Sequence, residues 1–272
     1  MADFNEVGFL SDELTQWTKN ARDAFPDAFA IAHRMNNMGM RILWELPTQN
    51  LTETQVWSVA GYARGIESFQ TCILLAERGA LAEARALARL CAESVIVTAG
   101  LLKVEGALAD LHADGAKHKL ALCNRMLEIN ANTGKEELLA WFEAEKAQIV
   151  AEFGKEPKQL KVGSLAKAAG MELLYELSYR LTSGNGAHAT IGAFERHMRA
   201  DTDGYLDQYV FAPDASDMRS TLLAANAAMI HLIGLAVEFL GMASYEAESR
   251  DLLLHWKVIK EVLEAQDQAT AV

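Results

Sequence analysis

Apolar residues along this chain recur every three or four positions between short polar breaks, the period of amphipathic helices rather than strands. The clearest run is "TETQVWSVAGYARGIESFQTCILLAERG", opening at Thr52, in which Val56, Ala60, Ala63, Ile66, Phe69, Ile73 and Leu74 fall on one stripe before Gly79 supplies a stop. "ALAEARALARLCAESVIVTAGLLKV" follows after a two-residue pause, so two long helices must pack antiparallel. Upstream, Ser11 is an N-cap followed by acidic residues, and a second helix runs from about Pro26 to Leu46 and stops at Pro47.

Downstream, a fourth long helix spans Glu105 to about Asn132. A charged stretch from Lys135 then reads as an exposed hairpin arm closed by Pro157. Two further helices flank residues 179–190, "DTDGYLDQYVFAPDASD" reads as irregular, and the last two helices cover about 216–241 and 244–265. The pattern predicts an all-α, antiparallel bundle of about eight to ten helices forming one domain over residues 1–272. Helices 1–50 and 215–267 are expected to pack on a core of about 55–200.

Composition agrees with this. Prolines number four, and alanine and leucine dominate the apolar residues. A formal charge of -12 disfavours a general nucleic-acid coat or an anionic membrane surface, though it leaves room for a local basic site. The N-terminus has no basic stretch followed by an apolar run. Ser220 to Val237 carries no formal charge, yet Asn226, His231 and Gly234 mark it as a central core helix rather than a span. Cys72, Cys91 and Cys123 sit among apolar residues at no metal-ligand spacing, which predicts buried thiols and a cytoplasmic protein.

Three polar constellations carry candidate chemistry. Arg64 and Glu67 lie three apart, and Arg85, Arg89 and Glu93 follow at spacings of four, each set along one helical face. The flanking "RALA" and "SVIVTAGLL" predict that at least one of these charges approaches the core. In "DLHADGAKH", Asp110, Asp114 and His118 are spaced by four, so Glu67, Glu93, Asp114 and His118, with His188, form an alternative metal set between helices. No Glu-x-x-His accompanies it. The third constellation is "YRLTSGNGAHAT", residues 179–190, preceded by Tyr175 and Glu176. Glu176 can pair with Arg180 one turn on. Arginine stabilises a phosphate, and histidine can remove the proton of a ribose 2′-hydroxyl without a metal. On one straight helix Arg180 and His188 would stand ~12 Å apart, so Gly184 and Gly186 must bend the chain, or a second chain must contribute, for both to reach one group.

The order "ESFQTCILLAERGALAEARALARLCAESVIV" (67–97), then the Asp114 helix, then "YRLTSGNGAHAT" resembles a bacterial family of uncharacterised all-helical proteins, itself similar to a divergent branch of the HEPN superfamily. The resemblance covers about residues 55–200. It implies a toxin or phage-defence protein, a metal-independent RNase site with no cofactor, and a homodimer with a cognate antitoxin or defence partner. By the same resemblance Arg180 would bind phosphate, His188 would act as general acid or base, and Asn185 or Ser183 would be the polar helper. Tyr179, Arg89 and Glu93 would stand beside them. The chain departs from the HEPN pattern in having seven residues between Arg180 and His188, with Leu181 directly after the arginine. The alternatives are a non-catalytic helical binding or regulatory module and a metal-dependent helical-bundle enzyme.

Overall fold

Helix-start chemistry at two places shows how local sequence sets the bundle. Thr52 and Gln55 form a reciprocal capping box, each side chain accepting from the other's backbone N–H. Pro26 occupies the first turn of its helix, where no amide donor is required. A computed structural model describes residues 3–131, 133–180, 182 and 190–270, with side chains described as far as Ala265.

Among the described residues there are twelve α-helical segments, eight of them long. They are α1 (Phe4–Val7), α2 (Leu14–Ala24), α3 (Pro26–Glu45), α4 (Glu53–Glu77), α5 (Leu81–Lys103), α6 (Ala107–Asn130), α7 (Glu136–Phe153), α8 (Val162–Ala168), α9 (Glu172–Leu174), α10 (Ile191–Glu195), α11 (Met218–Phe239) and α12 (Glu246–Thr270). A π-helical turn, Tyr175–Arg180, continues α9. The expected all-α bundle is present. The stretch expected to be irregular, residues 201–217, instead supplies the second strand of an antiparallel hairpin, β1 (Met198–Ala200) with β2 (Leu206–Tyr209), pairing Met198 with Tyr209 and Ala200 with Leu206 around a bulge. A helix-period reading has no means of finding strands three and four residues long.

Helices α3, α4, α5 and α11 build the core, with Met35, Ile66, Phe69, Ile96 and Met229 all but sealed from water. Where α4 meets α11 the backbones come close: a Cβ on Gly65 would lie 2.7 Å from Leu232 Cδ2. The buried Tyr62 hydroxyl donates to the Gly39 carbonyl at 3.2 Å, and Asn226 Nδ2 donates to the Ala28 carbonyl at 3.2 Å, tying α4 and α11 to α3. Because α3, α5 and α11 all cover α4, its buried surface is broader than one stripe. Tyr62 joins the core, while Val56 and Leu74, expected inside, lie half or more exposed.

All three cysteines are buried and free, and burial pushes the Cys72 thiol up to about 12. α11 is the single described helix long and apolar enough to span a membrane by length and composition, and most of it is enclosed by the bundle. The expected arm, about residues 135–157, is α7, which folds back on α6 as a hairpin. It has a small core of its own, made by Leu120, Cys123, Phe142 and Ile149. Polar links hold it to the body: His112 Nε2 to Glu53 at 2.9 Å, Lys158 to Asp110 at 2.6 Å, and the Leu160 amide donating to Asp114 at 2.9 Å.

Candidate functional site

The π turn at Tyr175–Arg180 is where the chain stops being an ordinary helix. The Thr182 hydroxyl donates back to the Ser178 and Tyr179 carbonyls, which takes acceptors away from the regular ladder. Such single π turns widen a helix locally and recur at functional sites. Here the widening lets Tyr175 and Tyr179 stack, centroids 5.1 Å apart and planes 18° apart. Tyr175 packs on Gly163 of α8, where any Cβ would stand 3.0 Å from the phenol. On the other side, the Arg89 guanidinium lies 4.5 Å from the Tyr179 ring centroid and donates through Nη2 to the Tyr179 hydroxyl at 2.8 Å. Arg89 Nε is buried with no hydrogen-bond acceptor among the described residues.

Arg180 ends this turn with its side chain 65% exposed, paired to Glu176 at 3.1 Å as the i, i+4 spacing predicts. Tyr179 and Arg89, both among the candidate residues, meet. Ser183, Asn185 and His188, with Leu181 and both glycines of the motif, lie outside the described residues. Thr190, immediately after them, caps α10 by accepting from the Ala193 amide at 3.2 Å.

Glu93 does not join the turn. It borders a separate cavity of about 280 Å³ with Trp57, Arg64 and Leu111, and it makes no ion pair with Arg89. Nor do Arg64 and Glu67 pair. On α5 the local i, i+4 pairing loses because Arg85 and Arg89 find partners on other elements, Ser220 with Asp217 and Tyr179. The alternative metal set is not assembled among the described residues, which exclude His188: no three His, Cys, Asp or Glu side chains converge there, and of Glu67, Glu93, Asp114 and His118 only the last two approach, at 3.5 Å. Asp114 is committed to the Leu160 amide, and Glu67 and Glu93 sit on other helices.

One turn before Arg89, the buried Arg85 donates to Ser220 Oγ at 3.0 Å and stands 3.6 Å from the Asp217 carboxylate. Arg196 reaches the same carboxylate at 3.6 Å and Asp214 at 3.1 Å. Burial would push the Asp214 carboxyl up, but the hydrogen bonds from the Ser216 amide and hydroxyl and the Arg196 guanidinium outweigh it and hold Asp214 below the ordinary carboxylate value. Gly79, at φ +74°, anchors this corner. Its carbonyl accepts from the Asp214 amide at 3.0 Å, and a Cβ there would strike Pro213, Trp17 and that amide.

The family model for DUF5677, a family of unknown function, matches residues 55–205, more than half of the chain. The chain is a DUF5677 protein. No curated protein and no solved structure matches it. The DUF5677 match opens at the start of α4 and closes within the hairpin, so it holds the π turn, Arg85, Arg89 and Arg196 but omits α3 and α11. The DUF5677 segment of this protein therefore borrows its core and two of its charge partners, Asp214 and Asp217, from outside the matched region. Arg196, Asp214, Asp217 and Ser220 had no signal in the sequence, since they converge from α10, the following loop and α11 only in the fold.

Proposed function

We propose that this DUF5677 protein is a HEPN-like, metal-independent RNase or nucleotide-acting protein of toxin or defence type, working in the cytoplasm as a homodimer. Arg180 stabilises the phosphate, His188 is the general acid and base, and Ser183 and Asn185 are its polar neighbours. Tyr179, held by Arg89, positions the arginine. The observation that carries this reading is the π turn, which presents Arg180 to solvent from a backbone fixed by Tyr175, Tyr179 and Arg89. The Glu176 partner is itself exposed, so the pair contributes about 0–1 kcal/mol and yields to a phosphate carrying more charge. In the reaction His188 takes the proton of the 2′-hydroxyl, the 2′-oxygen bonds to the adjacent phosphorus, and the 5′-oxygen leaves with a proton returned by the same group. The products are a 2′,3′-cyclic phosphate and a 5′-hydroxyl end.

Cleavage of a labelled single-stranded RNA in chelator, together with growth on induced expression, tests this. Arg180→Ala and His188→Ala are expected to lower the cleavage rate about 10²-fold or more and to relieve growth arrest. A wild-type protein inert towards RNA and harmless on expression would falsify the reading. One observation favours a second reading, a non-catalytic binding module with a cognate protein partner: Met198, Leu206 and Tyr209, on one face of the hairpin, are all exposed.

A further inference from the structure

A cavity of about 640 Å³ lies away from Arg180, between the hairpin, the loop after it and the start of α5. Arg196 and Asp217 line it, and Arg85 reaches the same Asp217 carboxylate from α5. We infer that this corner is a second phosphate site, in which the Asp217 carboxylate holds the place of a bound phosphate between Arg85 and Arg196.

Four features of the arrangement lead there. First, both guanidinium groups are withdrawn from water, with side chains 11% and 19% exposed, and cations so placed need anionic partners. Second, the partner they share fits poorly. Asp217 Oδ2 stands 3.6 Å from each, close enough to neutralise charge but beyond a hydrogen bond, and Arg196 Nη1 is buried without an acceptor among the described residues.

Third, Asp217 occupies the N-cap of α11, where an aspartate ordinarily accepts from the first-turn amides, and makes no such bond. Its carboxylate turns to the guanidiniums instead and stays 41% exposed, so a side-chain rotation alone can remove it. Fourth, α5 also begins at this cavity without a side-chain cap, and its first residues, Leu81, Ala82 and Glu83, are in the wall. The positive ends of two long helices thus add to the two guanidiniums. Asp214 is held by Ser216 and Arg196 Nη2, which fixes the Arg196 plane and leaves Nη1 directed at Asp217.

Glu83 and Glu195 also line the cavity, which favours one compact phosphate monoester over a run of backbone phosphates. Two sources carry that group, a free mononucleotide or the 5′-terminal phosphate of an RNA. The site uses neither Arg180 nor His188, so it stands or falls apart from the RNase reading.

Calorimetric titration with inorganic phosphate, AMP, and a short RNA with and without its 5′-phosphate provides the test. Asp217 makes no capping bond to lose and Asn matches it in size, so Asp217→Asn keeps the fold while removing the competing charge. It is expected to tighten phosphate and AMP binding about tenfold, with Arg196→Gln weakening both by a similar factor. Tighter binding of AMP than of phosphorylated RNA assigns the site to free nucleotides, and the reverse assigns it to RNA ends. The inference is overturned if neither wild type nor Asp217→Asn binds any of these phosphates saturably, or if Asp217→Asn binds them no better than wild type while melting cooperatively.

Discussion

The α3–α4–α5–α11 core and the stretch from α9 to Asp217 are built on opposite principles, though both come from one chain. In the core, small residues let helix axes approach, large apolar side chains are sealed, and buried polar groups such as Ser58, Tyr62 and Ser94 donate to nearby backbone carbonyls. From α9 to Asp217 the chain passes through a π turn, a five-residue helix and a hairpin whose strand residues are all exposed. There the fixed points are arginines: Arg89 on Tyr179, and Arg85 and Arg196 on Asp217 and Asp214. Dispersion and water exclusion hold the first region together and tolerate no gap. A few directional contacts hold the second, and they can exchange one anion for another.

Three measurements sharpen that contrast. The largest effect is expected in the core, where Phe69→Ala should cost about 3–5 kcal/mol in urea unfolding, because the ring is fully enclosed and its neighbours cannot collapse onto the gap. A loss below about 1 kcal/mol would mean that the helices repack freely, and the core would then be no more fixed than the hairpin region.

A smaller, pH-dependent effect is expected at Asp214. Its folded-state pKa lies below the ordinary value, so its contribution is present above the unfolded pKa, about 3.9, and is lost as pH falls through the depressed folded value. The urea midpoint of the wild type should therefore fall more steeply below about pH 4 than that of Asp214→Asn. Parallel curves would show that the Arg196–Asp214–Ser216 contacts carry no net stability. The smallest effect belongs to the hairpin: Leu206→Ser should change stability by no more than about 0.5 kcal/mol, since the side chain is half exposed. A larger loss, dependent on protein concentration, would reveal that the exposed hairpin face is covered by a second chain.

Much of the bundle was legible because its signals are local. The Thr52–Gln55 box, Pro26 and the glycine after α4 each act within one turn, and helix periodicity survives whatever the helix packs on. The Glu176–Arg180 pair was legible for the same reason, both groups being exposed on one turn with no competitor. Arg89 and Glu93 share that spacing and do not pair, because Arg89 meets a tyrosine from ninety residues away. The hairpin was missed since its short strands have too few residues to show alternation. Glu77 gave no sign of being buried; it is covered because Arg22 of α2 grips it with two bonds, at 2.8 and 2.9 Å.

By itself the sequence determined that this protein is a helical bundle, roughly where most of its helices begin and end, and that α11 lies inside it. Those properties follow from hydrogen bonds and apolar burial repeated every few residues. Only the tertiary structure decided which charges meet. An ion pair depends on where a long, flexible side chain finds an oppositely charged group across helices, and four charges, Arg85 of α5, Arg196 at the end of α10, Asp214 in the following loop and Asp217 at the N-cap of α11, came together without any spacing in the chain to announce them.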